Sequence, residues 1–140
     1  MRSRRYGLAV AGLGIAWIAA IALVGPLLVD REIKSSQDAA AAGDFPSAVS
    51  HADTARSIEP WAASPYVQLG QLAELQGDFP TAIARFTQAI EREEENWQWY
   101  YLRSKAEHEG GFEADARRDL ERARELNPEA KCLREGWSCG

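Results

Sequence analysis

The chain opens with a long apolar run and continues as amphipathic sequence with a helical period. Tyr6–Val29 carries no charged side chain, and all 21 acidic residues lie at Asp30 or beyond. A helix of this length extends about 36 Å, which exceeds the roughly 30 Å of a bilayer's hydrocarbon core. We therefore expect residues 6–29 to form a transmembrane helix.

The flanks of the run predict its orientation. Residues 1–5 contain three arginines and no acid, whereas acids and bases are balanced just after Val29. By the positive-inside rule, residues 1–5 are cytoplasmic and residues 30–140 lie on the extracytoplasmic, periplasmic side of the membrane. The run ends without a small-x-small site, which favours an uncleaved anchor over a signal peptide that is removed.

One face of the predicted span is small. Gly12, Ala16 and Ala20 recur at every fourth position. Such rows let membrane helices approach closely, so we expect this face to pack on a partner helix. A span that is simply rich in alanine and glycine is the alternative interpretation.

Beyond the run, the sequence repeats at a fixed interval. Residues 43–46 and 77–80 both read Gly-Asp-Phe-Pro. Two sets of alanines keep the same spacing: Ala48, Ala82 and Ala116, then Ala55, Ala89 and Ala123. Apolar residues between them follow a helical period, and no alternating strand pattern occurs. The repeat therefore predicts paired helices.

These units resemble the tetratricopeptide repeat (TPR) family, whose signature is W-x2-L-G-x2-Y, then A-x3-F, then proline. The middle unit reads Tyr66-x2-Leu69-Gly70-x2-Ala73, then Ala82-x3-Phe86-x2-Ala89; the third reads Trp99-x2-Leu102-Arg103-x2-Ala106, then Ala116-x3-Leu120-x2-Ala123 and Pro128. In this alignment, Trp99 follows its counterpart Tyr66 by one position fewer than Ala116 follows its counterpart Ala82. The first unit fits only in its second helix.

The resemblance implies an all-α fold, with the N-terminal transmembrane helix followed by a short TPR-like superhelix of about three helix pairs. The repeats would occupy 30–128, divided into 30–62, 63–95 and 96–128. The remaining tail, 129–140, contains Cys132 and Cys139. Since we expect the domain to be exported, we expect Cys132 and Cys139 to form a disulfide; a reducing compartment would instead leave two free thiols.

Charge and composition argue against several classes of function. Residues 30–140 carry 13 bases against 21 acids, which disfavours a nucleic-acid partner. The two histidines and two cysteines lack the spacing of a metal site, and Gly136–Gly140 matches G-x-S-x-G without the strand and helix that a nucleophile needs. We therefore expect no enzyme activity, no metal or other cofactor, and no small-molecule substrate.

In the TPR family the first helix of each pair lines a concave groove that binds protein. Carried over by position, the resemblance implies a partner-binding groove of Val67, Gln71 and Glu74, then Trp97, Tyr100, Ser104 and His108, with Ile33, Gln37 and Ala40 from the first unit and Leu75 and Glu107 beside these. The family's lysine–asparagine clamp for a C-terminal carboxylate is absent from these positions.

We therefore expect a membrane-anchored extracytoplasmic TPR scaffold, an accessory or assembly subunit of a larger membrane complex. Its partners would be other subunits of that complex. Two alternatives stay open: an exported TPR chaperone released by signal cleavage, and a cytosol-facing receptor with an N-terminal anchor.

Overall fold

The structure, a computed structural model, describes residues 24–130 and residue 133. These residues form six α-helices: α1 at residues 24–41, α2 Phe45–Ile58, α3 Ser64–Leu75, α4 Phe79–Ile90, α5 Trp97–Glu109 and α6 Glu113–Leu126. The predicted all-α class is confirmed. Within the described part of the chain, no helix is both long enough and apolar enough to cross a bilayer.

Several predicted features lie outside the described residues. They are residues 1–5, the first part of the predicted membrane helix with Gly12, Ala16 and Ala20, and the cysteines Cys132 and Cys139. The last part of the apolar run, 24–29, is helical and belongs to α1. Val29, at the end of this part, is only 3% exposed. The first helix pair therefore begins earlier than residue 30, where the sequence places it.

The helix boundaries follow from the Gly-Asp-Phe-Pro motif. Gly43 and Gly77 adopt positive φ angles of 79° and 75°, a conformation that ends a helix and that glycine tolerates best. Asp44 and Asp78 then cap α2 and α4, since their carboxylates accept hydrogen bonds of 3.2 Å from the backbone N–H groups of Ser47 and Thr81. The hydrogen bonds lower the pKa of both carboxyl groups. Phe112 occupies the corresponding position before α6 without a side-chain cap.

The core is built from small residues on the second helix of each pair. The alanines at the repeat spacing are fully buried, at 48, 55, 82, 89, 116 and 123. Alanine lets neighbouring helices approach closely, and larger side chains such as Phe86, Leu72 and Leu133 fill the remaining space. Each helix from α2 to α6 packs against the next along the chain, which is the arrangement of a repeat superhelix.

A buried polar link joins the first helix pair to α3. Ser36 on α1 donates a 2.7 Å hydrogen bond to the carbonyl of Ala48 on α2. Its Oγ also accepts a 3.0 Å hydrogen bond from Nε2 of Gln68 on α3. Both side chains are buried, so the mutual hydrogen bonds offset the cost of removing them from water.

Candidate functional site

Alternate helices enclose a concave groove of about 650 Å³. Its walls come from α1, α3 and α5, the first helix of each pair, as the TPR resemblance implies. The lining residues, which define the groove, are Gln37, Ala40, Ala41, Gln68, Gln71, Leu72, Glu74, Leu75, Lys105 and Glu109. They come mainly from the C-terminal halves of the three helices, so the groove lies toward the end of the molecule where the Gly-Asp-Phe-Pro turns are found.

The groove presents two rows of side chains at the spacing of the sequence repeat. One row is Gln37, Gln71 and Lys105, and the other is Ala41, Leu75 and Glu109. Leu75 is 67% exposed, so the groove offers an apolar surface to a ligand. Gln68 is engaged with Ser36, whereas the amides of Gln37 and Gln71 have no hydrogen-bond partner within residues 24–130 and 133.

An ion pair crosses the groove between α3 and α5. Nζ of Lys105 lies 3.1 Å from Oε1 of Glu74, with side chains 34% and 13% exposed. Burial lowers the pKa of Lys105, but the hydrogen bond to Glu74 and the charges of Glu74 and Glu109 outweigh it, so the pKa is raised overall. Lys105 is therefore a fully charged ammonium held by a carboxylate.

The structure places the predicted groove residues in three different environments. Gln71 and Glu74 line the groove. Val67 and Ser104 are buried among the helices, and Ser104 Oγ donates to the Tyr101 carbonyl at 2.7 Å. Three others lie away from the groove: Trp97 and Tyr100 pack against the cluster around Leu120 and Leu133, and His108 Nδ1 lies 2.8 Å from Glu113 Oε1. Among the other positions implied by the resemblance, Gln37, Ala40 and Leu75 line the groove, and Glu107 is buried.

Lys105 and Glu109 are groove residues that the sequence alignment misses. The alignment equates Gln71 with Ser104, because it shortens the repeat by one position in this helix. In the structure, Ser36, Gly70 and Ser104 are the equivalent buried small positions, and they follow one another at equal intervals. The constant spacing of Gly43, Gly77 and Gly111 is the sequence signal that identifies this register.

Apart from the Glu74–Lys105 pair, the third helix pair contains a cluster of charged side chains. This α5–α6 cluster consists of Arg103, Glu107 and Asp119. The guanidinium of Arg103 forms two hydrogen bonds with the carboxylate of Asp119 and donates to Thr87 Oγ1 on α4 at 2.9 Å. Burial and the charge of Asp119 raise the pKa of Glu107 to about 7, although Arg103 opposes the shift. Among the described residues, Oε2 of Glu107 is a buried oxygen without a hydrogen-bond partner.

Three solved structures resemble the chain closely in fold. The TPR domain of Arabidopsis OM64 is 19% identical with a TM-score of 0.68, covering 78% of this chain and 90% of that one. The TPR2B domain of yeast Sti1, in a pHsp70 complex, is 22% identical with a TM-score of 0.70, covering 78% and 90%. The first TPR of Spaghetti (RPAP3), bound to the HSP90 peptide SRMEEVD, is 14% identical with a TM-score of 0.71, covering 79% and 88%.

No protein-family model matches the sequence, and no curated protein is significantly similar to it. The structural matches nevertheless extend over most of the described helices and over nearly the whole of each TPR domain. At these identities the likeness concerns the fold alone. The chain has the TPR fold, an all-α superhelix of three helix pairs.

Proposed function

We propose that this chain is a protein-binding scaffold whose groove holds an extended segment of a partner protein. The observation that carries the proposal is the groove itself, built from the first helix of all three pairs. Its volume of about 650 Å³ lies in the range of specific ligand sites, which commonly measure about 300–1,000 Å³. The proposal assigns the chain no catalytic step.

The groove has the mixture of surfaces that an extended peptide needs. Leu75 supplies exposed apolar area for a side chain of the partner. The amides of Gln37 and Gln71, which have no hydrogen-bond partner among the described residues, can both donate to and accept from a peptide backbone. In similar TPR structures, RPAP3 binds an HSP90 peptide and Sti1 TPR2B is complexed with pHsp70, which supports a peptide as the ligand here.

Site-specific crosslinking tests this proposal. A photoreactive residue replaces Leu75 in the groove or, as the control, the exposed Glu121 on α6. We expect a defined partner to crosslink at position 75 and not at position 121. Ala41→Trp should abolish that crosslink by filling the groove, whereas Ala114→Trp, an equal change on exposed α6, should preserve it. A crosslink unaffected by Ala41→Trp would contradict the proposal.

We also propose that the apolar run anchors this scaffold in a membrane, with the repeats outside the cytoplasm, as an accessory or assembly subunit of a larger membrane complex. The support is the sequence: an uncharged Tyr6–Val29, three arginines without an acid before it, and the small face of Gly12, Ala16 and Ala20. This small face would contact a membrane helix of the complex, while the groove holds a segment of the same or another subunit.

Purification of the full chain in mild detergent tests the membrane role. We expect a stoichiometric membrane complex with an intact N-terminus, lost when Gly12, Ala16 and Ala20 are changed to leucine. A shortened N-terminus would instead indicate a released chaperone. Protease added to spheroplasts should digest the repeats; protection of the repeats until the membrane is broken would indicate a cytosol-facing receptor.

A further inference from the structure

The charges in the groove limit the chemistry of its ligand, on the assumption that the proposed peptide-binding role is correct. Among the described residues that line it, Glu74, Lys105 and Glu109 are the charged ones. Two carboxylates therefore face one ammonium, and the groove carries a net negative charge. A ligand with the opposite charge gains from this field, and a ligand with the same charge is repelled.

The cation of the groove is already satisfied. Lys105 is paired with Glu74 at 3.1 Å, and the Glu74 side chain is only 13% exposed. A carboxylate from a ligand would have to displace this partner or accept repulsion from it. Displacement would leave Glu74 partly buried without its cation, which is unfavourable. The described lining residues therefore include no unpaired lysine or arginine that could bind an acidic segment.

The second carboxylate, Glu109, acts on Lys105 through its charge but makes no ion-pair contact among the described residues. Glu109 is exposed on the wall of the groove, and no lysine or arginine lies within ion-pair distance of it in the part of the chain that the structure describes. Leu75, one repeat before Glu109 in the same row, provides a large exposed apolar surface. An apolar side chain on Leu75 therefore places a neighbouring side chain of the ligand near Glu109.

We propose that the groove selects an extended partner segment that carries lysine or arginine next to an apolar residue, and that it discriminates against acidic segments. The apolar residue packs on the exposed side chain of Leu75. The ammonium or guanidinium of the ligand pairs with Glu109, while Glu74 and Lys105 stay paired with each other. The amides of Gln37 and Gln71 bind the extended backbone.

Fluorescence anisotropy with the full chain in nonionic detergent tests this selectivity. The probes are fluorescein-labelled octapeptide libraries with a fixed central leucine, followed by lysine, glutamine or glutamate and otherwise randomised in the same way. We expect the affinity order lysine, glutamine, glutamate, with about a tenfold difference between the lysine and glutamate libraries, since a single exposed charge contact changes affinity only a few-fold. The difference should shrink at high salt.

Two substitutions locate the effect in the groove. Glu109→Gln should weaken the lysine library about threefold. The control, Glu94→Gln, removes an equal charge from the exposed turn between α4 and α5 and should leave the affinity unchanged. Glu74→Gln releases Lys105, so we expect it to improve binding of the glutamate library, a gain that a merely damaged protein would not show.

The outcomes separate this inference from the proposed function. Equal binding of the three libraries, abolished by Ala41→Trp, would retain the peptide-binding groove and overturn its charge selectivity. Stronger binding of the glutamate library would overturn the selectivity in the same way. An equal effect of Glu94→Gln and Glu109→Gln would show a general charge attraction and reject Glu109 as the contact. No binding of any library would count against both proposals.

Discussion

Gly70 on α3 lies against the ring of Phe86 on α4, the second helix of the middle pair. A Cβ atom at this position would lie 2.6–2.9 Å from three ring carbons of Phe86, a side chain with no exposed surface. Overpacking of this kind costs about 1–3 kcal/mol, against a gain of about 1 kcal/mol from replacing glycine by alanine in a helix. We expect Gly70→Ala to lower the free energy of unfolding by up to about 2 kcal/mol in urea titrations.

A second substitution identifies the clash as the cause. Phe86→Leu shortens the opposing side chain, so Gly70→Ala should cost less in that background than in the parent chain. An equal cost in the two backgrounds would mean that the alanine is disfavoured for some reason other than Phe86.

Glu107 should make the stability of the fold depend on pH. Burial and Asp119 raise its pKa from 4.5 to about 7 in the folded chain, so between these values the folded state binds a proton that the unfolded state has lost. Its contribution is complete below pH 4.5 and disappears as the pH rises through about 7. We expect the free energy of unfolding to fall across this window by at most about 3 kcal/mol.

Urea titrations between pH 5 and 8 measure this slope. Glu107→Gln keeps the shape of the protonated acid and should flatten the slope, leaving the variant more stable than the parent at pH 8. Glu121→Gln, on the exposed face of α6, should retain the parent slope. Parallel slopes for Glu107→Gln and the parent chain would contradict the assignment.

At the scale of the helix, α6 lacks a feature that α2 and α4 share. Phe112 has φ and ψ of −90° and 59°, close to the −88° and 74° of Asp44, yet it supplies no acceptor. The backbone is therefore already arranged for an N-cap. We expect Phe112→Asp to be about 1 kcal/mol more stable than Phe112→Ala, which removes the same ring without adding a cap. Thermal unfolding of the two variants measures the difference, and equal stability would refute it.

The sequence predicts the helix pairs because glycines, prolines and small residues recur at a fixed spacing. However, Trp99 and Leu102 match the W-x2-L positions of the TPR signature. This match shifts the alignment of the third unit's first helix one position out of register. In the correct register Arg103 is the equivalent of Leu69, and Glu107 is the equivalent of Ala73. Charged residues at apolar repeat positions become acceptable only through the α5–α6 cluster, a tertiary arrangement that a local pattern does not contain.

At the scale of the whole molecule, the resemblance correctly predicts that α1, α3 and α5 line a groove. It does not predict which charges face that groove, since a shift of one position rotates a helical side chain by about 100°. The shift brings Lys105 and Glu109 to the wall and moves Ser104 into the helix interface. The sequence is therefore enough to predict the groove, whereas the charges that face the groove can be assigned only from the structure.

The first helix of the domain also limits where a bilayer can lie. The space that a side chain on Gly25 would enter is occupied by the Glu59 carboxylate, whose Oε1 would be 2.7 Å from an added Cβ. A carboxylate in hydrocarbon costs several kcal/mol. On the proposed anchor, the hydrocarbon must therefore end before Val24 and Gly25, which leaves residues 6–23. As a helix these extend about 27 Å, within the range that spans a bilayer.

Cysteine accessibility tests this boundary. With Cys132 and Cys139 replaced by serine, single cysteines are placed at Ala20, Val24 and Leu27 in membrane vesicles that expose the repeats. We expect a membrane-impermeant maleimide to label Val24→Cys and Leu27→Cys, whose native side chains are 50% and 69% exposed, and to spare Ala20→Cys. Protection of Val24→Cys would extend the membrane segment into α1 and require Glu59 to move. Labelling of Ala20→Cys at the same rate as Val24→Cys and Leu27→Cys would contradict the membrane anchor. The part of the apolar run that precedes Ala20 is too short to span the bilayer.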